Sequence, residues 1–87
     1  MIIHYSKTFK KNYRALSAAD QIRVKQAIQR FKMNPLETAL RNHKLQGVQK
    51  SLRSISAGYD IRLLYVERDG HAFILFMRVG THDDVYE

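Results

Sequence analysis

The spacing of apolar residues changes once along this chain of 87 residues, and this change limits the possible folds more than any other feature. Between residues 7 and 33 apolar side chains recur every three or four residues, the period of a helix that buries one side. From residue 52 to residue 79 they form short runs bounded by Gly and Asp, which is typical of strands joined by turns. Helices followed by clustered strands predict an α+β domain.

The helical part of the sequence predicts two helices joined by a short turn. Residues 7–16 carry apolar side chains at i, i+4 and i+7, which places them on one side of a first helix. Ser17, followed three residues later by Asp20, is typical of a capped helix N-terminus. The second helix is expected to end before Pro35, because the residue preceding a proline is driven out of the helical conformation. Helices this close in sequence are expected to form an antiparallel hairpin.

Four segments have the character of β-strands, one before the helices and three after them. They cover residues 1–6, 52–56, 61–66 and 73–79. Asp69-Gly70 is a strong signal for a hairpin between the last two. The last segment is apolar on both faces, which predicts a central, covered strand.

Residues 36–50 are expected to form a connector, and residues 80–87 a polar tail. The predicted order of elements is therefore β-α-α-β-β-β. We expect one domain over residues 1–87, with a helical hairpin packed on a small, mostly antiparallel sheet.

The charge of the chain is strongly basic and unevenly distributed. Lys and Arg number 15 against 8 acidic residues, a formal net charge of +7. Residues 1–66 hold 13 of these basic residues and 3 acids, whereas residues 67–87 hold 2 basic residues and 5 acids. A basic body of this kind predicts a polyanionic partner, either nucleic acid or an acidic protein.

Several classes of protein are excluded by composition. The chain has no Cys, which excludes a disulfide framework or a zinc ribbon and is compatible with a reducing cytosol. No apolar stretch approaches the roughly 18–20 residues of a membrane span, and the N-terminal residues lack the features of a signal peptide. We therefore expect a cytoplasmic protein that does not contact membranes.

The polar residues are suited to one chemistry in particular, the cleavage of RNA. Familiar nucleotide-binding and hydrolase motifs are absent, and the four His have no local metal-ligand spacing, so neither a cofactor nor a metal is expected. RNA carries its own nucleophile, the 2′-hydroxyl. Its cleavage needs a base, an acid for the leaving 5′-oxygen, and cations around the developing negative charge. His and Arg side chains supply these functions.

Three stretches of the sequence resemble the RelE/ParE superfamily of bacterial toxins, and the YafQ-like branch is the most similar. They are Asn42-His43-Lys44-Leu45-Gln46-Gly47, the strand pair Leu52–Ile55 and Asp60–Tyr65, and the ending Arg78–Tyr86. The predicted order of elements is also similar, so the resemblance covers nearly the whole chain. It implies a type II toxin that enters the ribosomal A site, cuts mRNA there and is neutralised by a cognate antitoxin, with which it can form a hetero-oligomer.

The resemblance carries over the candidate catalytic residues. His43 matches the His of a His-x-Leu-x-Gly segment, and Asp60 matches an Asp of the following strand and turn. His82 matches the His of the Gly-Thr-His ending, and Tyr86 matches an aromatic residue four positions later. The sequence departs from the branch at Ser56, where a further His is expected.

Roles for these residues follow as hypotheses from the resemblance. His82 is expected to be the acid, and either Asp60 or His43 the base. Arg62 resembles the strand Arg of the RelE branch, which stabilises the phosphate. Tyr86 is expected to be a stacking platform or a contact to the 2′-hydroxyl.

Contacts to RNA or to the ribosome are predicted from basic residues on the first helix, in the connector and at the start of the next strand. These residues are Lys10, Lys11, Arg14, Lys44, Lys50 and Arg53. The main alternative within the same superfamily is a ParE-like poison of DNA gyrase without nuclease activity. A plain RNA-binding module, or a domain that acts only through its antitoxin contact, also fits the sequence.

Overall fold

The computed structural model of the protein describes residues 1–47 and 51–86. The described strands are β1 (Ile2–Tyr5), β2 (His43–Lys44), β3 (Arg53–Ala57), β4 (Ile61–Arg68) and β5 (Phe73–Thr81). The helices are α1 (Lys7–Ala15), α2 (Ala18–Met33) and α3 (His82–Tyr86), and a 3₁₀ turn covers Thr38–Leu40. The predicted α+β class, with helices packed on a mostly antiparallel sheet, is confirmed.

The five strands form one sheet in the order β1-β5-β4-β3-β2. β1 pairs with β5 in parallel, and the other three neighbouring pairs are antiparallel. β5 therefore lies between β1 and β4, an interior position as predicted, but it is not covered on both faces, because Phe73 is 44% exposed. Short connections join β3, β4 and β5 as hairpins, whereas both helices separate β1 from the rest of the sheet, so no short turn forces β1 to be antiparallel.

Serine side chains begin both long helices. The Ser17 hydroxyl accepts a hydrogen bond from the Asp20 amide at 3.1 Å, which confirms the predicted N-cap of α2. The Ser6 hydroxyl accepts from the Phe9 amide at 2.9 Å and donates to the Met77 carbonyl at 2.7 Å. Ser6 therefore both caps α1 and fastens the start of this helix to β5.

The core lies between one face of the sheet and the two long helices. Phe9 of α1 and Phe31 of α2 both contact Phe76 of β5, with ring centroids 5.7 Å and 5.4 Å apart. Phe31 also meets the ring of Tyr65 of β4 at 4.9 Å in an edge-to-face arrangement. Aromatic pairs of this geometry add packing energy beyond the burial of their surface.

An irregularity in β5 changes which of its side chains face the core. Leu64 pairs with Arg78 and Tyr65 pairs with Phe76, so Met77 is an extra residue in this ladder. Such a β-bulge shifts the alternation of side chains by one position. As a result Phe76 and Val79, three residues apart, both lie in the core, and Arg78 is brought to the opposite face, which we call the open face.

Three short elements lie in segments that the sequence predicts to be irregular. The connector contains the 3₁₀ turn and β2, and the polar tail contains α3. The 3₁₀ turn and α3 each have one deeply buried apolar side chain, since Leu40 and Val85 are both 1% exposed. A single apolar residue has no periodicity, so the pattern of the sequence cannot reveal an element held by one side chain.

Candidate active site

A cleft on the open face brings together four of the predicted catalytic residues. It has a volume of about 530 Å³ and is formed by β2, β3, β4 and α3. Its lining residues are Arg41, His43, Leu45, Ser56, Arg62, His82 and Tyr86. Of the predicted set, Asp60 lies outside this lining and borders an adjoining groove.

The register of the sheet explains why residues far apart in the sequence lie together in the cleft. His43 of β2 pairs with Ser54 of β3, and Ser56 of β3 pairs with Arg62 of β4. Side chains two residues apart on a strand share a face, and paired residues on neighbouring strands also share a face. His43, Ser56 and Arg62 therefore lie on the open face, and α3, which follows β5 directly, adds His82 at the same end of the sheet.

The ring of His43 has a defined hydrogen-bonding arrangement. Its Nδ1 lies 2.9 Å from the carbonyl oxygen of Arg41. Because a carbonyl only accepts hydrogen bonds, Nδ1 is assigned the proton. Neutral His43 then carries a lone pair on Nε2, the nitrogen suited to accept a proton as a base.

The guanidinium of Arg62 is held by the backbone of its own hairpin. Its Nη1 donates to the carbonyl oxygens of Ile61 at 3.1 Å and Tyr59 at 3.4 Å. Within residues 1–47 and 51–86, no carboxylate lies within ion-pairing distance of Arg62. The positive charge is therefore oriented toward the cleft side of the sheet without being neutralised, as a phosphate-binding group requires.

The short helix α3 is fixed to the sheet at both of its ends. At its start, Thr81 and Asp84 exchange hydrogen bonds between side chain and amide, at 3.2 Å and 3.3 Å. At its end, Arg78 donates to the carbonyl oxygens of Asp84 at 2.8 Å and Val85 at 3.4 Å. Gly80 permits this close approach, because a Cβ there would lie 3.0 Å from the Asp84 Cβ. These contacts set the positions of the two aromatic side chains of α3.

Those two side chains contact each other and the floor of the cleft. The rings of His82 and Tyr86 meet edge to face, with centroids 4.4 Å apart. The Tyr86 hydroxyl donates to the hydroxyl of Ser54 at 2.6 Å, and His82 Nδ1 lies 3.6 Å from a carboxylate oxygen of Asp83. The Tyr86 hydroxyl therefore donates its hydrogen bond within the protein, and its ring supports the ring of His82.

The variant Tyr86→Phe is expected to lower the free energy of unfolding by about 1 kcal/mol, because it leaves the buried Ser54 hydroxyl without its partner. Chemical denaturation measures this change. Adding Ser54→Ala to the same chain should recover part of the loss, since no polar group is then left unpaired. Equal stability of Tyr86→Phe and the wild type would contradict the role assigned to this hydrogen bond.

The predicted contacts to RNA or the ribosome do not gather around the cleft. Lys10, Lys11 and Arg14 are exposed on α1, which packs on the core face. Lys44 is also exposed, but the alternation of β2 places it on the opposite side from His43. Lys50 lies outside the described residues.

Arg53 belongs to a polar network that holds the connector to the sheet. Its Nε donates to the Asn42 side-chain oxygen at 2.9 Å, and Asn42 Nδ2 donates to the Tyr65 hydroxyl at 2.7 Å and to the Pro35 carbonyl at 2.9 Å. The Tyr65 hydroxyl also lies 3.0 Å from His71 Nε2. Burial raises the pKa of Tyr65 above its ordinary value, and the Asn42 hydrogen bond opposes this rise. Asn42 thereby positions the strand that carries the next residue, His43.

The variant Asn42→Ala is expected to lower the free energy of unfolding by about 1–3 kcal/mol, because Arg53 Nε loses its side-chain acceptor and the Tyr65 hydroxyl keeps only His71 of its two partners. Gln46→Ala is a matched control, because Gln46 is exposed in the same connector, and should change stability by less than about 0.5 kcal/mol. Denaturant titration of both variants distinguishes them. Similar values for the two would contradict the positioning role of Asn42.

Three residues that line the cleft were not among the catalytic or binding residues predicted from the sequence. Arg41 ends the 3₁₀ turn with a left-handed backbone (φ 49°), and its carbonyl oxygen accepts the hydrogen bond from His43 Nδ1. Leu45 supplies an apolar wall, and Ser56 occupies the position where the resemblance expects a His. The position of Arg41 next to the family-like segment was the one signal in the sequence that pointed to it.

The structure also bears on metal binding and membrane insertion, in the part of the chain that it describes. In that part of the chain, no group of three His, Cys, Asp or Glu side chains could jointly bind a metal ion. None of the described helices combines the length and apolar character needed to cross a membrane.

The fold is that of the RelE/ParE-like toxins. The YoeB/ParE toxin from Agrobacterium tumefaciens shares the fold with a TM-score of 0.77 at 14% sequence identity, over 94% of this chain and 99% of that chain. YafQ from E. coli strain BL21(DE3) is more similar, with a TM-score of 0.82 and 26% identity over 98% of this chain and 97% of that chain. A chain of the E. coli DinJ-YafQ toxin-antitoxin complex matches with a TM-score of 0.79 and 26% identity, over 98% and 96% of the two chains.

A sequence profile narrows this class to one family. The profile described as "Bacterial toxin of type II toxin-antitoxin system, YafQ" matches residues 1–87. No curated protein sequence matches the chain at a significant level. The chain belongs to the YafQ family of type II toxin-antitoxin toxins.

Proposed function

We propose that this toxin is a ribosome-dependent endoribonuclease that cuts mRNA in the A site and so inhibits translation. The observation that carries the proposal is the cleft itself. It combines two imidazoles, an unneutralised guanidinium and an aromatic ring within one space of about 530 Å³. Metal-free cleavage of RNA needs this combination of proton acceptor, proton donor and cation.

The cleavage step uses the 2′-hydroxyl of the RNA as its nucleophile. His43 Nε2 takes the hydroxyl proton, and the freed oxygen bonds to the adjacent phosphorus. The bond from phosphorus to the 5′-oxygen breaks, and protonated His82 donates its proton to that oxygen. The products are a 2′,3′-cyclic phosphate and a free 5′-hydroxyl, so no water, metal or cofactor enters the step.

Between the two candidate bases, the geometry favours His43. His43 lies in the cleft with His82 and Tyr86 and presents Nε2 as an acceptor, whereas Asp60 borders only the adjoining groove, which His82 and Arg62 also line but Tyr86 does not. Arg62 would stabilise the charge that develops on the phosphate oxygens, because its guanidinium is oriented before the substrate binds. Tyr86 would support His82 and offer its ring to a base.

A cognate antitoxin is the second proposed partner of this toxin. The basic charge of the chain favours an acidic or amphipathic segment, which would become ordered as it covers the basic surface. The E. coli DinJ-YafQ toxin-antitoxin complex, one chain of which is similar to this chain, supports such a hetero-oligomer.

Primer extension on cellular mRNA after induction of the toxin tests the proposal. We expect new 5′ ends within translated regions, in phase with codons, that disappear when the start codon of the message is removed. Intact mRNA together with an SOS response would contradict the nuclease and support the alternative of a gyrase poison. Intact mRNA without an SOS response would leave a binding role.

A further inference from the structure

A second basic depression, which we call the arginine groove, continues from the cleft around the edge of the sheet. It has a volume of about 800 Å³ and lies between α2 and the turn that joins β3 to β4. Arg41, Ser56, Arg62 and His82 line both the groove and the cleft. The two depressions therefore form one continuous surface, and a chain that leaves the cleft on this side enters the groove.

The wall formed by α2 presents polar and basic side chains at helical spacing. Arg23, Gln26 and Arg30 are three and four residues apart and line the groove, beside the buried stripe that contains Ala27. Arg23 and Arg30 are separated by about 10 Å along the helix axis at roughly 1.5 Å per residue. Two cations at this separation can contact different phosphates of one extended strand.

The opposite wall is the β3–β4 turn, which displays an exposed aromatic side chain. Gly58 has a positive φ of 82°, and a Cβ there would lie 3.0 Å from Cδ of Arg23, so the turn packs closely on this arginine. The next residue, Tyr59, is 97% exposed, while its carbonyl accepts from Arg62. An aromatic ring with almost no packing inside the protein is available to stack on a base.

The charges of the groove remain positive after internal pairing. Arg23 pairs with Asp20 at 2.8 Å, and Asp60 adds one further carboxylate to the lining. Within residues 1–47 and 51–86, Arg30, Arg41 and Arg62 have no carboxylate within 4.0 Å. The groove therefore attracts an anionic chain, and two of these three arginines, Arg41 and Arg62, also line the cleft.

We propose that the arginine groove holds the single-stranded RNA flanking the cleavage site, with phosphates on Arg23 and Arg30 and a base stacked on Tyr59. This inference rests on the proposed nuclease function and extends it to substrate outside the cleft. An exposed aromatic ring beside guanidinium groups is the combination with which proteins hold single strands without reading their sequence. An acidic antitoxin peptide would use the cations but has no bases to stack on Tyr59, and RNA is therefore the favoured occupant.

The test measures binding of the full-length toxin to a short single-stranded RNA in which every 2′-hydroxyl is methylated. This probe lacks the nucleophile, so it reports binding without cleavage. Affinity is measured over a range of salt concentrations for three proteins. They are the wild type, the double variant Arg23→Gln/Arg30→Gln and the double variant Lys25→Gln/Lys32→Gln. The last variant is the matched control, because it removes the same charge from exposed positions of the same helix outside the groove lining.

Loss of two phosphate contacts should make the slope of log affinity against log salt shallower by about 1.4 for a single strand. The Lys25/Lys32 control should keep a slope near that of the wild type. Tyr59→Ala should weaken binding by roughly 5- to 150-fold without changing the slope, and Tyr59→Phe should retain most of the affinity. Thermal unfolding verifies that each variant is folded.

Two kinds of result would overturn the groove assignment alone. One is that the Arg23/Arg30 and Lys25/Lys32 double variants change the slope equally, or that Tyr59→Ala binds the RNA probe like the wild type. In that case codon-phased cleavage by the wild type would still stand, and only the groove assignment would fall. The other is that the arginine variant loses affinity for the antitoxin while its RNA binding is unchanged, which would assign the groove to the antitoxin. If the wild type shows neither binding of the probe nor cleavage of mRNA, the inference and the nuclease proposal fail together.

Discussion

Cleavage of translated mRNA is expected to fall by roughly 10²- to 10⁴-fold when His82 is replaced with Ala, which is the usual contribution of a positioned general acid. Without the imidazole, the 5′-oxygen must leave as an unprotonated anion. Growth arrest after induction should disappear with the cleavage, and primer extension measures the loss. The fold should be unaffected, because the His82 side chain is 61% exposed and exposed substitutions change stability by about 0.5 kcal/mol or less.

His4→Ala is the matched control for this variant. His4 is an exposed histidine on β1, and it borders a different depression at the far edge of the sheet. It should leave both growth arrest and cleavage at the wild-type level. If the His82 variant still arrests growth and cuts mRNA, the assignment of the acid is wrong, whatever the result for His4.

Arg62→Ala is expected to reduce the rate of cleavage by roughly 10²- to 10³-fold, a loss typical of a group that stabilises charge in the transition state. The effect should fall mainly on kcat, because the guanidinium meets its full negative charge only as the phosphorane forms. Arg62→Lys should restore little of the rate, since an ammonium cannot reproduce the fixed fork held by the Ile61 and Tyr59 carbonyls. Single-turnover kinetics on a programmed ribosome separate kcat from binding.

Arg68→Ala removes the same charge from the other end of the same strand. Arg68 is exposed and pairs with Phe73 near the β4–β5 hairpin, outside the cleft. This control should retain nearly all of the cleavage rate. A loss that appears only in KM for Arg62→Ala would show that Arg62 binds the substrate without stabilising the transition state.

Much of the fold could be predicted because its signals are local. The helical period, the Ser17 cap and the Pro35 stop each act within a few residues, and α2 begins and ends as these signals predict. The Asp69-Gly70 turn likewise lies between β4 and β5, with positive φ at both residues. Local rules failed for the 3₁₀ turn, β2 and α3, because these elements are held by contacts with distant parts of the chain.

Part of the candidate site could also be predicted, but from a resemblance to a family and not from local signals. A resemblance of short motifs selected His43, Arg62, His82 and Tyr86, and these residues line one cleft. The same reasoning could not separate His43 from Asp60 as the base, because both side chains can accept a proton and the sequence does not show which of them lies in the cleft. This reasoning also could not show that Arg53 donates a hydrogen bond to Asn42, a partner eleven residues away in the sequence.

The amino-acid sequence by itself determined the class of fold, the basic character of the surface and the residue types available for chemistry, because periodicity, caps and charge are properties of neighbouring residues. The tertiary structure alone decided which of those residues meet. The Met77 bulge turns Arg78 to the open face, where it holds α3 and sets His82 beside Tyr86. The β2–β3–β4 register then places His43 and Arg62 on that face. Pairing between distant strands is cooperative and leaves no local signal, so this step required the folded protein.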